Sequence, residues 1–173
     1  MRVEWNSYLS PVGTLTLVEG ADGPLLVEFP TKRTNLNWAD RLRKRNRDVT
    51  IDPGPCQRLT NWLAGYFRGG PRPFPFPEYL SDYFVLEPSQ LAVWRHLCTI
   101  PFGKTCSYDD LARATGIPPR AVGQILGSNP LALLIPCHRV VGKQGGLVGY
   151  GGGLTRKRWL LNHELRAVGV VLS

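Results

Sequence analysis

Cys137 stands in the stretch Leu131-Ala132-Leu133-Leu134-Ile135-Pro136-Cys137-His138-Arg139-Val140-Val141, an apolar run interrupted by one proline, one thiol and a His-Arg pair. The proline fixes φ and disfavours a helix. Cys137 and His138 therefore need not point to opposite faces as strand neighbours would. A thiolate attacks carbon well, and a cationic or proton-accepting neighbour raises the ionised fraction of the thiol. Taken by itself, a cysteine among apolar residues is more often a packing residue. The other cysteines (Cys56, Cys98 and Cys106) form no C-x-x-C pair, and His96, His138 and His163 complete no zinc spacing. No metal and no disulfide framework is expected, which leaves free thiols.

Elements on both sides must position that strip. The first thirty residues read as short strands: Val12–Val18 is rich in β-formers, Gly20–Pro24 supplies a turn, and Leu25–Phe29 follows as partner. A basic helical pattern covers Leu36–Arg47. A second helix runs from about Cys56 to Phe67, with Leu59, Trp62, Leu63 and Tyr66 on one face. Four prolines and two glycines between Gly69 and Pro77 stop regular structure, and a boundary is expected near Val85–Pro88. Glu87-Pro88-Ser89 then opens a helix that buries Leu91, Trp94, Leu97 and Cys98. Ser107 with Asp109 and Asp110 reads as a capped start. The helix it begins ends at Gly116, and Pro118-Pro119 opens another through Leu126. Two short helices around a glycine turn make a helix-turn-helix candidate, a weak signal by itself. The basic run Arg156-Lys157-Arg158 reads as a solvated helix face.

The fold expected is an α/β N-terminal part (a small antiparallel sheet with helices, residues 1–87) followed by a mainly α part with the helix-turn-helix (88–173). The chain carries 21 Lys and Arg against 13 Asp and Glu, a formal charge of +8. Such a surplus favours a polyanionic partner by long-range attraction. No apolar run approaches the ~18 residues of a membrane span, and the first residues lack a secretory pattern. A cytoplasmic protein is expected (nuclear if the source is a eukaryote), without membrane association.

Ile135–Val141 resembles the active-site signature of the O6-alkylguanine-DNA alkyltransferases. The resemblance continues through Arg120-Ala121-Val122-Gly123 and Asn129-Pro130 upstream. Downstream it takes in Gly149–Leu154 and Lys157–Glu164. It covers roughly residues 88–165; the N-terminal half matches only loosely, through Ser10–Leu15.

The resemblance implies direct-reversal repair of duplex DNA containing O6-alkylguanine, with the alkyl group passed irreversibly to Cys137, once per molecule and without a cofactor. It implies that His138 takes the thiol proton through a water, that Glu164 orients the imidazole, and that Asn129 braces the turn. Tyr108 would contact the flipped base and its phosphate, and the Val140 carbonyl would accept from the guanine amino group. Tyr150 and the Gly151 N–H would line the pocket. Arg120 would fill the space left in the duplex, with Ala121, Gly123 and Gln124 on the helix that meets the DNA. The protein is expected to be a monomer in solution, with cooperative binding on DNA left open.

The departures are a short Gly116–Arg120 loop, the bulky Gln124-Ile125-Leu126, and glycine at 151, which offers only a backbone donor. Two rivals are a lesion sensor of the same fold, which would lack the acceptor cysteine, and a cysteine hydrolase, which would turn over without DNA.

Overall fold

The computed structural model describes residues 1–30, 38–70 and 73–171. Leu36 and Asn37 of the expected basic helix, and Pro71 and Arg72 of the proline-rich break, lie outside the described residues. β1 (Arg2–Ser10) and β2 (Gly13–Gly20) form an antiparallel hairpin. Its corner is tied by Ser10, whose Oγ donates to Gly13 O at 2.6 Å and accepts from Val12 N at 3.2 Å. β3 (Pro24–Glu28) pairs antiparallel with β2. α1 (Trp38–Arg45) follows, and β4 (Thr50–Pro53) returns parallel to β1, giving the order β3-β2-β1-β4. This parallel fourth strand was not foreseen; four residues are too few to show a period.

α2 (Gln57–Phe67) buries Leu59, Leu63 and Tyr66, an i, i+4, i+7 stripe that faces the core. A short α3 (Leu80–Tyr83) precedes α4 (Pro88–Leu97), which has proline at its start and buries Val93, Trp94 and Leu97. β5 (Cys106–Ser107) runs straight into α5 (Tyr108–Thr115), where Ser107 Oγ accepts from Asp110 N at 3.0 Å. Gly116 closes α5 with φ 72°, a left-handed conformation that a side chain would oppose. α6 (Pro119–Gly127) buries Val122 and Ile125. The Trp94 indole N–H donates to Ile125 O at 3.3 Å and so fixes α6 on α4. A 3-10 turn (Cys137–Arg139), β6 (Val140–Val141) and α7 (Leu154–Ala167) complete the chain.

One apolar core runs from the sheet through α2 and α4 to the 131–135 segment. The free edge of β3 does not face solvent at Val27. Val27 N donates to Pro130 O at 2.8 Å, and Val27 O accepts from Ala132 N at 2.9 Å. The N-terminal sheet is thereby hydrogen-bonded to the segment that carries Cys137. Among the described residues no helix is long and apolar enough to cross a membrane.

Candidate active site and nucleic-acid interface

The segment before Cys137 is wound tightly. Leu133 has φ 73°, unusual for a non-glycine residue, and Ile135 N donates to Leu131 O at 2.9 Å. Such a conformation costs roughly 1–3 kcal/mol and persists only when its surroundings impose it; Leu131, Leu133, Leu134 and Ile135 are all buried. Asn129 locks this turn from within. Its Oδ1 accepts from Leu131 N at 2.9 Å, and its Nδ2 donates to Ile135 O at 2.7 Å and to Cys137 Sγ at 3.2 Å. Burial pushes the Cys137 thiol pKa up. The Asn129 hydrogen bond and the positive charge of Lys157 pull it back.

Behind the cysteine lies a fully buried charged cluster. His138 Nε2 lies 2.6 Å from Glu164 Oε1. Glu164 also accepts from Tyr66 Oη at 2.8 Å, Gly103 N at 2.9 Å and Arg139, whose Nε and Nη2 reach both carboxylate oxygens at 2.9–3.2 Å. Burial alone would raise the Glu164 pKa, but His138 and Arg139 outweigh it and hold the group at about 2. The carboxylate is therefore ionised. Burial depresses the His138 pKa against the opposing pull of Glu164. A neutral imidazole that donates from Nε2 leaves Nδ1 as the acceptor. Nδ1 is buried and has no protein partner among the described residues.

Lys157 overturns the expectation of a solvated basic face. It is fully buried, and its Nζ donates to Val140 O at 2.5 Å, Val148 O at 3.0 Å and Gly149 O at 3.1 Å. All three N–H groups are used, which is what permits a buried ammonium. Arg156 is partly buried as well, and only Arg158 of the three is exposed. The same lysine joins both segments expected to line the pocket. β6 pairs with β5 through Cys106–Val140 and Ser107–Val141, which brings Tyr108, the next residue, alongside. Tyr108 Oη donates to Val148 O at 3.0 Å, and its ring centre lies 6.0 Å from Lys157 Nζ. Tyr150 is half-buried, its hydroxyl is enclosed without a hydrogen-bond partner among the described residues, and its pKa is raised by burial and by Cys137. A cavity of about 200 Å³ is lined by Asn129, Ala132, Cys137, Tyr150 and Gly151, and its other wall is Leu26–Phe29 of the sheet.

The four residues expected on the DNA side stand apart from this cluster on α6. Arg120, Gly123 and Gln124 are exposed and Ala121 is half-buried. Arg120, Gly123, Gln124 and Gly127 fall at i, i+3, i+4 and i+7, so they share one face. A Cβ at Gly123 would meet only Tyr108 Cε1, at 4.0 Å, and one at Gly127 would meet nothing within 4 Å. These glycines leave the face shallow without being required by the fold.

A thiol held in a cavity, with a neutral imidazole beside it and a helix-turn-helix outside, defines a cysteine-nucleophile protein on a helix-turn-helix scaffold. Residues 88–166 match the family model described as 6-O-methylguanine DNA methyltransferase, DNA binding domain. The methylated-DNA–protein-cysteine methyltransferase of Mycolicibacterium paratuberculosis is 40% identical over 167 residues, 95% of this chain and 93% of the relative. The inducible enzyme of that name from Bacillus subtilis is 37% identical, over 96% of this chain and 88% of the relative. The crystal structure of Mycobacterium tuberculosis OGT in complex with DNA superposes with a TM-score of 0.75 at 33% identity, covering 96% of this chain and 94% of that one. The chain belongs to the methylated-DNA–protein-cysteine methyltransferase family.

Sequence reading missed Tyr66, Arg139 and Lys157 as members of this site. Lys157 had a usable signal. With Leu160 and Glu164 it forms an i, i+3, i+7 set on α7, the face that turns inward. Tyr66 lies 98 residues from Glu164 and gave no such sign.

Proposed function

We propose that this protein repairs O6-alkylguanine in duplex DNA by taking the alkyl group onto Cys137. Its N-terminal part (residues 1–87) supports the acceptor segment, and residues 88–173 supply the DNA-binding and acceptor machinery. A base inside the duplex hides its O6 substituent, so the nucleotide must leave the stack, at roughly a few kcal/mol. α6 approaches the groove with Gly123 and Gln124 at its surface and Ala121 behind them, and Arg120 fills the space the nucleotide vacates. The extruded base enters beside Tyr108, its amino group donating to the Val140 carbonyl, which keeps a second lone pair beside Lys157. Tyr150 and the Gly151 N–H line the pocket at the guanine.

Through a bridging water, the Cys137 S–H proton passes to His138 Nδ1. The resulting imidazolium is stabilised by Glu164. The thiolate attacks the alkyl carbon in line: the C–S bond forms, the C–O6 bond breaks, and its electron pair stays on guanine, which is protonated through water as the imidazolium gives back the proton it took from the thiol. Asn129 and Lys157 stabilise the thiolate before attack, and donors around guanine stabilise the departing anion. The thioether has no partner that could hydrolyse it, so each molecule reacts once. The protein works in the cytoplasm as a monomer. Cys137 Sγ held at 3.2 Å by Asn129 on the wall of a pocket open to solvent on one side is the observation that carries this reading.

The test is stoichiometry. With lesion DNA in excess, transferred alkyl groups are expected to plateau at one per protein molecule; continued turnover contradicts the proposal.

A further inference from the structure

Arg156 is the other cation of α7 that turned out not to be solvated, and the site described above makes no use of it. Its Nε donates to Val12 O at 2.7 Å, in the corner of the β1–β2 hairpin. Its Nη1 donates to Gly152 O at 3.0 Å, in the segment that forms one wall of the Cys137 cavity. The guanidinium lies 4.8 Å from the centre of the Phe29 ring, just past the end of β3. One side chain thus joins the hairpin corner, the sheet edge and the pocket wall. Arg is suited to this because its fork is planar and rigid, so two carbonyls on different segments are fixed at a set separation and a ring can stack on its face.

The neighbours are cut to fit. At Gly13, with φ +111°, a Cβ would lie 3.0 Å from Arg156 Nη2. At Gly152 a Cβ would lie 2.7 Å from Phe29 and 2.8 Å from Tyr150. Gly152 is therefore clasped between the N-terminal sheet and the pocket tyrosine, whose ring centre is 6.3 Å from that of Phe29.

We infer that Arg156 is a positioning residue for alkyl transfer: it clamps the Tyr150–Gly152 wall of the Cys137 pocket onto the N-terminal sheet, so that the sheet sets the wall's distance from the sulfur. This inference rests on the alkyl-transfer reading above. Small errors of placement in a reacting pair slow a reaction by factors of about ten to a hundred. The sheet then contributes to the rate by holding the facing wall of the pocket in place.

The experiment compares wild type, Arg156→Met and Arg156→Lys. Three quantities are measured: methyl transfer from duplex DNA carrying one O6-methylguanine, as a function of DNA concentration; capture of Cys137 by iodoacetamide, which needs no pocket; and amide exchange of the peptide spanning 149–153. In Arg156→Met the transfer rate at saturating DNA is expected to fall at least about tenfold. The half-saturating DNA concentration and the iodoacetamide rate should stay within about twofold, and the 149–153 amides should exchange faster. Lysine, which keeps the charge on Phe29 but cannot bridge both carbonyls, should recover only part of the rate. Should the methionine variant fail to fold, the lysine variant carries the same comparison with a smaller fall. A saturating rate within twofold of wild type, or equal losses in transfer and iodoacetamide capture, overturns the inference. Wild type that captures iodoacetamide yet takes no methyl group from DNA overturns the alkyl-transfer reading itself, and this inference with it.

Discussion

The pocket around Cys137 and the outer face of α6 are built on opposite plans. Around the thiol, side chains are committed several times over: Asn129 makes three hydrogen bonds, Lys157 three, and Glu164 accepts from His138, Tyr66, Gly103 and Arg139. On α6, Arg120 and Gln124 reach into solvent, and two glycines stand where alanine would hold the helix better. Reacting groups must be in place before the substrate arrives, because geometry that has to be found during the reaction costs rate. A recognition face must stay open for its partner. The protein is therefore over-determined around Cys137 and sparsely filled on the outer face of α6, the division that the proposed function calls for.

Substitutions should divide along that line. The largest effect is expected at Glu164. Glu164→Ala leaves the buried Arg139 guanidinium without its counter-charge, a loss of roughly 3–5 kcal/mol, read as a lower midpoint in urea. A loss below about 1 kcal/mol would mean the cluster is not load-sharing as described.

Acid should expose the same cluster. Glu164 is held at about 2 against an ordinary 4.5, so its stabilisation is complete above 4.5 and is lost as pH falls towards 2. Its size is about 3 kcal/mol. Glu164→Gln should flatten that part of the stability profile.

Lys157→Met comes next. Removing the cation that favours the thiolate should slow transfer by roughly a hundredfold. Burial already holds the Cys137 thiol pKa above its ordinary value, so the transfer rate should rise with pH through the neutral range. In the methionine variant that rise should move to higher pH, since the thiol ionises less readily without the neighbouring charge. An unshifted profile would assign Lys157 to packing alone.

The smallest change in stability belongs to α6, and it should have the opposite sign. Gly123→Ala is expected to stabilise the free protein by about 0.5–1 kcal/mol while weakening duplex binding, because its methyl group stands on the open face. Iodoacetamide capture of Cys137 should not change. Arg120→Ala should leave stability within about 0.5 kcal/mol and slow transfer from duplex DNA far more than capture by iodoacetamide. If either variant altered thiol capture, the separation between the two regions would fail.

What could be read from the sequence follows the same division between local and distant. The Pro-Cys-His strip, the Ser107 cap, the Gly116 stop and the α6 glycines are local features, each with a short-range physical signature. The helix end at Gly116 matched because turn chemistry is local too, whereas α6 runs one residue past the expected Leu126 and takes in Gly127. Tyr66 and Arg139 join Glu164 only once α2, the Cys137 turn and α7 have packed together, and no spacing in the chain announces that. Lys157 was misjudged because charged neighbours on both sides suggested a solvated face, although Leu160 and Glu164 already marked its side of the helix as buried. The bond between Val27 and the 130–132 backbone was invisible for a simpler reason: main-chain pairing carries no residue-type signal.

The most direct test of the account is the intact mass of the protein after incubation with duplex DNA bearing one O6-methylguanine, wild type beside Cys137→Ser. The wild type is expected to gain a single methylene, mapped to the peptide containing Cys137, and the variant to gain nothing. A methyl group on Cys56, Cys98 or Cys106, or a gain that persists in Cys137→Ser, would contradict it.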